Sequence, residues 1–142
     1  MPSLISQFVF NDGEVVVNIA DQPSPALKAV SLPVGTVNMQ PTSGFKPIRV
    51  VANIAIEQEG NSGVYLTDLP KPVKISIRYR AADQTAAAGK PLRLAFWNGA
   101  QWVRLTASKH GFSLTPDADP QQGGVGSLTL TRWGDPPISW GT

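Results

Sequence analysis

Residues Val73 to Arg80 read Val-Lys-Ile-Ser-Ile-Arg-Tyr-Arg. Val73, Ile75, Ile77 and Tyr79 alternate strictly with Lys74, Ser76, Arg78 and Arg80. That period of two belongs to a strand with one face buried and the other in water. The same period recurs along the chain. Ile48 to Glu57 is a second run, with Val50, Ala52, Ile54 and Ile56 on one face. Leu4 to Phe10 and Glu14 to Ala20 flank Asn11-Asp12-Gly13, a hairpin signal, because Asn and Gly tolerate positive φ. Leu92 to Trp97 and Gln101 to Thr106 predict another hairpin, whose Asn98-Gly99 suits a type I′ turn. Val125 to Trp133 is a late strand. Leu27 to Leu32, Thr36 to Met39 and Phe112 to Thr115 are weaker ones. Only Ala81 to Gly89 has helical composition, with Asp83 to cap it and Gly89 to end it.

Glycine and proline number 13 each in 142 residues, and they gather between these runs. The separators are Pro23 to Pro25, Pro41 to Gly44, Glu59 to Gly63, Leu69 to Pro72 and Asp117 to Gly124. Many short strands with turn signals at that spacing predict an all-β fold, an Ig-like antiparallel β-sandwich. The expectation is about eight to ten strands and one short helical connection. The length suits a single domain over 1–142. Gly123 to Gly126 reads as a flexible turn before a strand. The tail 134–142 carries Pro136 and Pro137. It reads as an extended strap that cannot be a regular central strand, with Trp140 packed into a groove.

Residue usage excludes much chemistry. The chain has no cysteine and one histidine. That removes disulfides, thiol catalysis, Cys-ligated clusters and multi-His metal sites. No apolar run approaches the roughly 18 residues of a membrane span. Asp117-Ala118-Asp119 and Asn11 to Glu14 are the dense acidic groups, and neither matches a calcium loop. Gly123 to Gly126 lacks the Lys-Ser/Thr that a phosphate loop requires, and no Gly-x-Ser-x-Gly elbow is present. No metal and no cofactor is expected, and the chain reads as a non-enzyme. Twelve basic residues stand against ten acidic ones, a net charge of +2. The densest basic group is Lys71, Lys74, Arg78 and Arg80, the solvent side of a strand, so no nucleic-acid partner is expected. Met1 to Phe10 lacks the basic region of a secretion signal. The expected location is therefore cytoplasmic if Met1 is the native start, and cell-surface or extracellular if the chain is a fragment.

Four phrases in order resemble a known family. They are Val30-Ser31-Leu32-Pro33-Val34-Gly35-Thr36, then Lys71-Pro72-Val73-Lys74-Ile75-Ser76-Ile77-Arg78-Tyr79, then the Ala/Gly-rich stretch 81–89, then Leu94 to Val103 as L-x-x-W-N-G-x-x-W-V. The set resembles the ZU-five-type β-sandwich domain of ankyrins and netrin receptors, in its divergent bacterial surface-protein form. The likeness spans about residues 29–115. It implies a structural or interaction module. Some members also cleave their own chain before the Ser of a His-Phe-Ser phrase, the hydroxyl attacking the preceding carbonyl. Here the phrase is His110-Gly111-Phe112-Ser113, with one glycine more. His110 and Ser113 then fall on opposite faces of a strand unless Gly111 forms a bulge.

Two other groups stand out. Trp97, Trp102 and Trp133, with Asn98, make a candidate sugar platform, since exposed indole planes stack on sugar rings. The simpler reading pairs Trp97 with Trp102 across the hairpin and places the indoles in packing. Ile138 and Trp140 mark the tail as a candidate assembly arm, as does 1–6 at the other end. The expectation is a non-catalytic structural or protein-interaction module, joining protein partners or its own copies through strand edges and terminal tails. The alternative is a carbohydrate-binding module.

Overall fold

The computed structural model describes residues 5–23, 26–34, 37, 39–42, 44–61, 63–132 and 137–142. Ten strands form two five-stranded antiparallel sheets packed face to face. In chain order they are β1 (Ile5–Phe10), β2 (Val15–Ala20), β3 (Leu27–Leu32), β4 (Pro47–Gln58) and β5 (Asp68–Arg80). Then come β6 (Arg93–Trp97), β7 (Trp102–Arg104), β8 (Ser113–Pro116), β9 (Gly123–Arg132) and β10 (Pro137–Gly141). The first sheet runs β1-β2-β5-β9-β8 and the second β3-β4-β10-β6-β7. The fold is the all-β sandwich that the alternation predicts.

The alternating residues supply the core. Val15, Val17 and Ile19 of β2, with Val73, Ile75, Ile77 and Tyr79 of β5, face Leu27, Ala29, Ile54, Ile56, Leu94 and Ile138 of the other sheet. Lys74 and Arg80 stay exposed on the far side of β5. The β1–β2 hairpin turns through Asn11, Asp12 and Gly13, all at positive φ. The β6–β7 hairpin departs from type I′, which requires positive φ at both central residues. It is a four-residue loop in which Asn98 Oδ1 accepts the Ala100 and Gln101 N–H groups at 2.9 and 2.8 Å, with Gly99 at positive φ. The polar side chain of Asn98 closes the turn itself.

Two helices are present where one was expected: α1 (Ala81–Ala87) and the single turn α2 (Ala107–His110). Asp83 does not cap α1 from outside. It sits in the first turn and reaches back to accept the Arg80 N–H at 2.9 Å. The helix ends at Ala88 in the left-handed region, ahead of Gly89.

Three expectations fail. The tail does hold a central strand: β10 lies between β4 and β6, antiparallel to both. Pro137 is its first residue, a position where the missing N–H is tolerated. Gly123 to Gly126 is the first part of β9, with Gly123, Gly124 and Gly126 buried. These glycines admit neighbours: a Cβ at Gly124 would overlap the Tyr79 hydroxyl, and one at Gly126 would fall 2.6 Å from Trp140 Cη2. Third, Val50 does not share a face with Ala52. Ile138 and Ser139 pair with Ala52 and Val50, so Val51 is an extra residue in β4. This bulge turns Val50 outward and Arg49 inward. The Val51 carbonyl accepts from Asn11 Nδ2 at 3.1 Å. The expected strand at 36–39 falls partly outside the described residues, and Val37 and Met39 are not in a strand.

A second apolar cluster sits on the outer face of the second sheet. Phe45 packs on Ala95 and Trp102, with Val37, Val50 and Trp97 around it. Thr42 and Phe45 exchange backbone hydrogen bonds, and Lys46 and Thr142 do the same. Thr42, Phe45 and Lys46 of the β3–β4 connection therefore fold over the sheet as a flap, and Gly141 lacks a Cβ where the Phe45 ring lies.

Candidate functional site

The sequence-predicted residues separate in space. Trp97 and Trp102 are directly opposite on β6 and β7, with ring centroids 5.4 Å apart and planes 62° apart. Trp102 is 0% exposed and packs against Phe45 at 5.8 Å. Trp97 is half-buried, and Asn98 is spent on its own turn. The described indoles therefore form no coplanar exposed platform. Trp133 lies outside the described residues. Packing explains the aromatics: Trp102 anchors the flap and Trp140 anchors the core.

His110 closes α2, where its Nδ1 accepts the Thr106 N–H at 2.9 Å. Burial, then the Lys109 charge, pushes its pKa down, so the ring is neutral at pH 7. Gly111 is the left-handed cap of α2, not a bulge, and Ser113 opens β8 opposite Ser127. Phe112 is half-buried against the core. No hydrogen bond joins His110 to Ser113 among the described residues, so the arrangement that cleavage requires is not assembled.

Ile138 and Trp140 are both 0% exposed. The Trp140 indole crosses between the sheets, where Nε1 donates to the Arg78 carbonyl at 2.9 Å and the ring meets Tyr79 edge-on at 5.3 Å. The tail is therefore part of the core and is not a free arm. At the other end, Ser6 belongs to β1 and 1–4 lie outside the described residues.

Sequence reading missed an ion cluster built on two buried carboxylates, Glu14 and Asp83. Arg49, turned inward by the bulge, forks onto Asp83 through Nε and Nη2 at 2.9 and 2.8 Å. Its Nη1 reaches Glu14 Oε1 at 2.5 Å, and Arg80 Nη2 bonds the other Glu14 oxygen. Burial pushes the Asp83 carboxyl up. The Arg49 guanidinium, the Arg80 N–H and both positive charges outweigh it and hold the carboxyl below its ordinary value. The Asp83 hydrogen bond, followed by Glu14, raises Arg49 in turn. The cluster joins the β1–β2 turn, β4, β5 and α1. Both carboxylates are neutralised, which makes it a clamp between the sheets. No group of three or more His, Asp or Glu is placed to hold a metal ion among the described residues.

The sheet edges differ in how they are protected. β7 has three residues, and its Trp102 N–H is taken by Thr42 Oγ1 at 2.8 Å. β8 has four and ends in Pro116. β3 carries Lys28, and the Gln22 side chain binds both the N–H and the C=O of Leu27 along its edge, at 2.7 and 2.9 Å. β1 has none of these devices. Its six residues, Ile-Ser-Gln-Phe-Val-Phe, contain no charge and no proline and pair with β2 without a register break. Val9 stands 53% exposed on its outer face. An alternating sequence with exposed Val9 is the legible signal; the protection of the other edges is visible only in three dimensions.

The fold and these contacts define a β-sandwich of two five-stranded sheets. Comparison with protein-family models, with curated proteins and with solved structures finds no match to this chain. No helix among the described residues is long and apolar enough to cross a membrane.

Proposed function

We propose that this chain is a non-catalytic structural or protein-interaction module that joins protein partners, its own copies among them, through the β1 edge. The observation that carries this reading is the contrast between β1 and the other three edges. Charge, proline, short length and occupied hydrogen-bonding groups suppress edge pairing. β3, β7 and β8 each use at least one of them, and β1 uses none. A strand without protection is a template for strand addition, in which backbone hydrogen bonds supply affinity and alternate side chains supply specificity. β1 carries no charge, so two copies meet there without like-charge repulsion. The ZU-five-type resemblance of residues 29–115 agrees with a structural role.

Against the alternative carbohydrate reading stands the full burial of Trp102, one indole of the candidate platform. Edge association is tested by light scattering after size exclusion over a concentration series. The expected result is a mass rising above 15.1 kDa with concentration. Val9→Lys places a charge on the edge without entering the core and should return the protein to monomer. A 15.1 kDa monomer at every attainable concentration, with no strand peptide bound, overturns the reading.

A further inference from the structure

The ion pairs among the described residues draw their cations from Arg49, Arg78, Arg80 and Arg132 alone. The basic run that stands out in the sequence is thus half consumed: Arg78 pairs with Asp117, and Arg80 with Glu14. Unpaired cations gather elsewhere. A groove at the end of the second sheet, about 450 Å³ in volume, is lined by Lys46, Lys90 and Arg93 together with Phe45, Pro41 and Pro91. Among the described residues no Asp or Glu lines it. Arg104 adjoins the rim, its Nη2 3.6 Å from where a Gly44 Cβ would stand.

The walls of this groove are fixed, Lys46 and Lys90 are exposed, and Arg93 is half-buried. Lys46 is held by paired backbone bonds to Thr142 at 2.9 and 3.0 Å, while its side chain is in solvent. Arg93 is opposite Gly141 on β6 and β10, so its position is set by the sheet interior. Lys90 follows the left-handed turn that ends α1, where its N–H bonds the Ala87 carbonyl at 3.1 Å. Phe45, itself part of the flap, is fully buried and gives the groove an apolar wall. Two segments distant in sequence, one at Lys46 and one running from Lys90 to Arg93, therefore place like charges around one concavity, and no ion pair among the described residues offsets them.

Like charges held together repel, and a protein gains nothing in stability from leaving them uncompensated. A bound multivalent anion removes that repulsion, and lysine and arginine donors suit phosphate and carboxylate oxygens. The volume matches a small-molecule site. We infer that this groove binds a small multivalent oxyanion, bearing two or more phosphate or carboxylate groups, through Lys46, Lys90 and Arg93, with Arg104 at the rim. The inference is independent of the β1 edge, which lies at the far side of the other sheet.

Titration calorimetry and amide chemical-shift mapping with sodium tripolyphosphate, at low ionic strength, test the site. The expected result is saturable binding with shifts centred on 90–93 and 44–46, weakening as salt rises. Lys46→Glu/Arg93→Glu should weaken it roughly tenfold or more. Lys71→Glu/Lys74→Glu, the same charge change on the other sheet, should leave the localised shifts in place. Thermal unfolding of each variant confirms that the fold persists. A citrate arm distinguishes the source chemistry: competition with tripolyphosphate is expected if any oxyanion fits. Simultaneous binding of the two, equal losses in both double variants, or no saturable binding overturns the inference.

Discussion

The indole of Trp140 rests on the bare backbone of Gly126, reaching from the second sheet onto the middle of the first. A methyl group at residue 126 would lie 2.6 Å from Cη2, well inside contact distance. Gly126→Ala is therefore expected to destabilise the fold by about 1–3 kcal/mol through overpacking. Trp140→Phe shortens the ring and should recover part of that loss in the double variant. A double-mutant cycle by urea unfolding measures the coupling. Additive losses would show that the two residues act separately.

Trp102→Ala should cost about 3–5 kcal/mol, as for a large buried aromatic. The flap residues Phe45 and Thr42 both depend on it: Phe45 touches its ring and Thr42 accepts its N–H. Hydrogen exchange should show faster exchange at the Phe45 N–H together with the drop in melting temperature. Unchanged stability would mean that the ring contributes little packing.

The Arg49 clamp predicts a pH dependence. The Asp83 carboxyl lies below its ordinary value of about 4 in the folded state. The unfolded chain therefore takes up its proton first as pH falls. Stability from this group is full above about pH 4–5 and is lost as pH drops through the folded value. Asp83→Asn should cost about 3 kcal/mol at pH 7, since it leaves Arg49 short of a buried partner. Urea midpoints of the two proteins, measured from pH 7 to pH 2, should converge at the acid end. A constant gap would refute the linkage.

His110 works in a different window. Its folded pKa is depressed, so the unfolded chain binds the proton more readily below about pH 6.5. Stability should fall as pH decreases through that value, because protonation removes the acceptor for the Thr106 N–H. His110→Gln should flatten the pH 5–7.5 part of the profile. If the slope there is unchanged in the variant, another group is responsible.

Asn53 Oδ1 is buried without a hydrogen-bond partner among the described residues. Removing an unpaired buried polar atom at constant shape relieves a desolvation cost of about 1–3 kcal/mol. Asn53→Leu is therefore expected to raise the unfolding midpoint. A fall would show that the amide contributes a contact that leucine cannot replace.

The alternating apolar residues of β2 and β5, the Asn11-Asp12-Gly13 turn and the Ala81 helix were legible because local pattern and local structure coincide there. β10 was not. The sequence pair Pro136-Pro137 argues against a strand there, and only the pairing of β10 with its partners shows that Pro137 stands at a tolerated end. The same limit applies to the bulge at Val51. One extra residue against β10 reverses the direction of Val50 and Arg49, and the sequence of β4 alone carries no sign of it. The cationic groove was hidden for another reason. Lys46 is far in sequence from Lys90 and Arg93, whereas the visible basic run spends two of its members on acidic neighbours brought in by folding.

The placement of β10 also bears on how the molecule is made. Every strand of the first sheet is synthesised before residue 133. The second sheet reaches that point as two separate pairs, β3–β4 and β6–β7, with no hydrogen bonds between them. Neither pair has much independent stability. The ribosome must deliver Pro137 to Gly141 before the two pairs have a common neighbour, so half of the sandwich stays open until those residues emerge. A nascent chain arrested short of residue 137 should therefore expose apolar surface that the released protein hides.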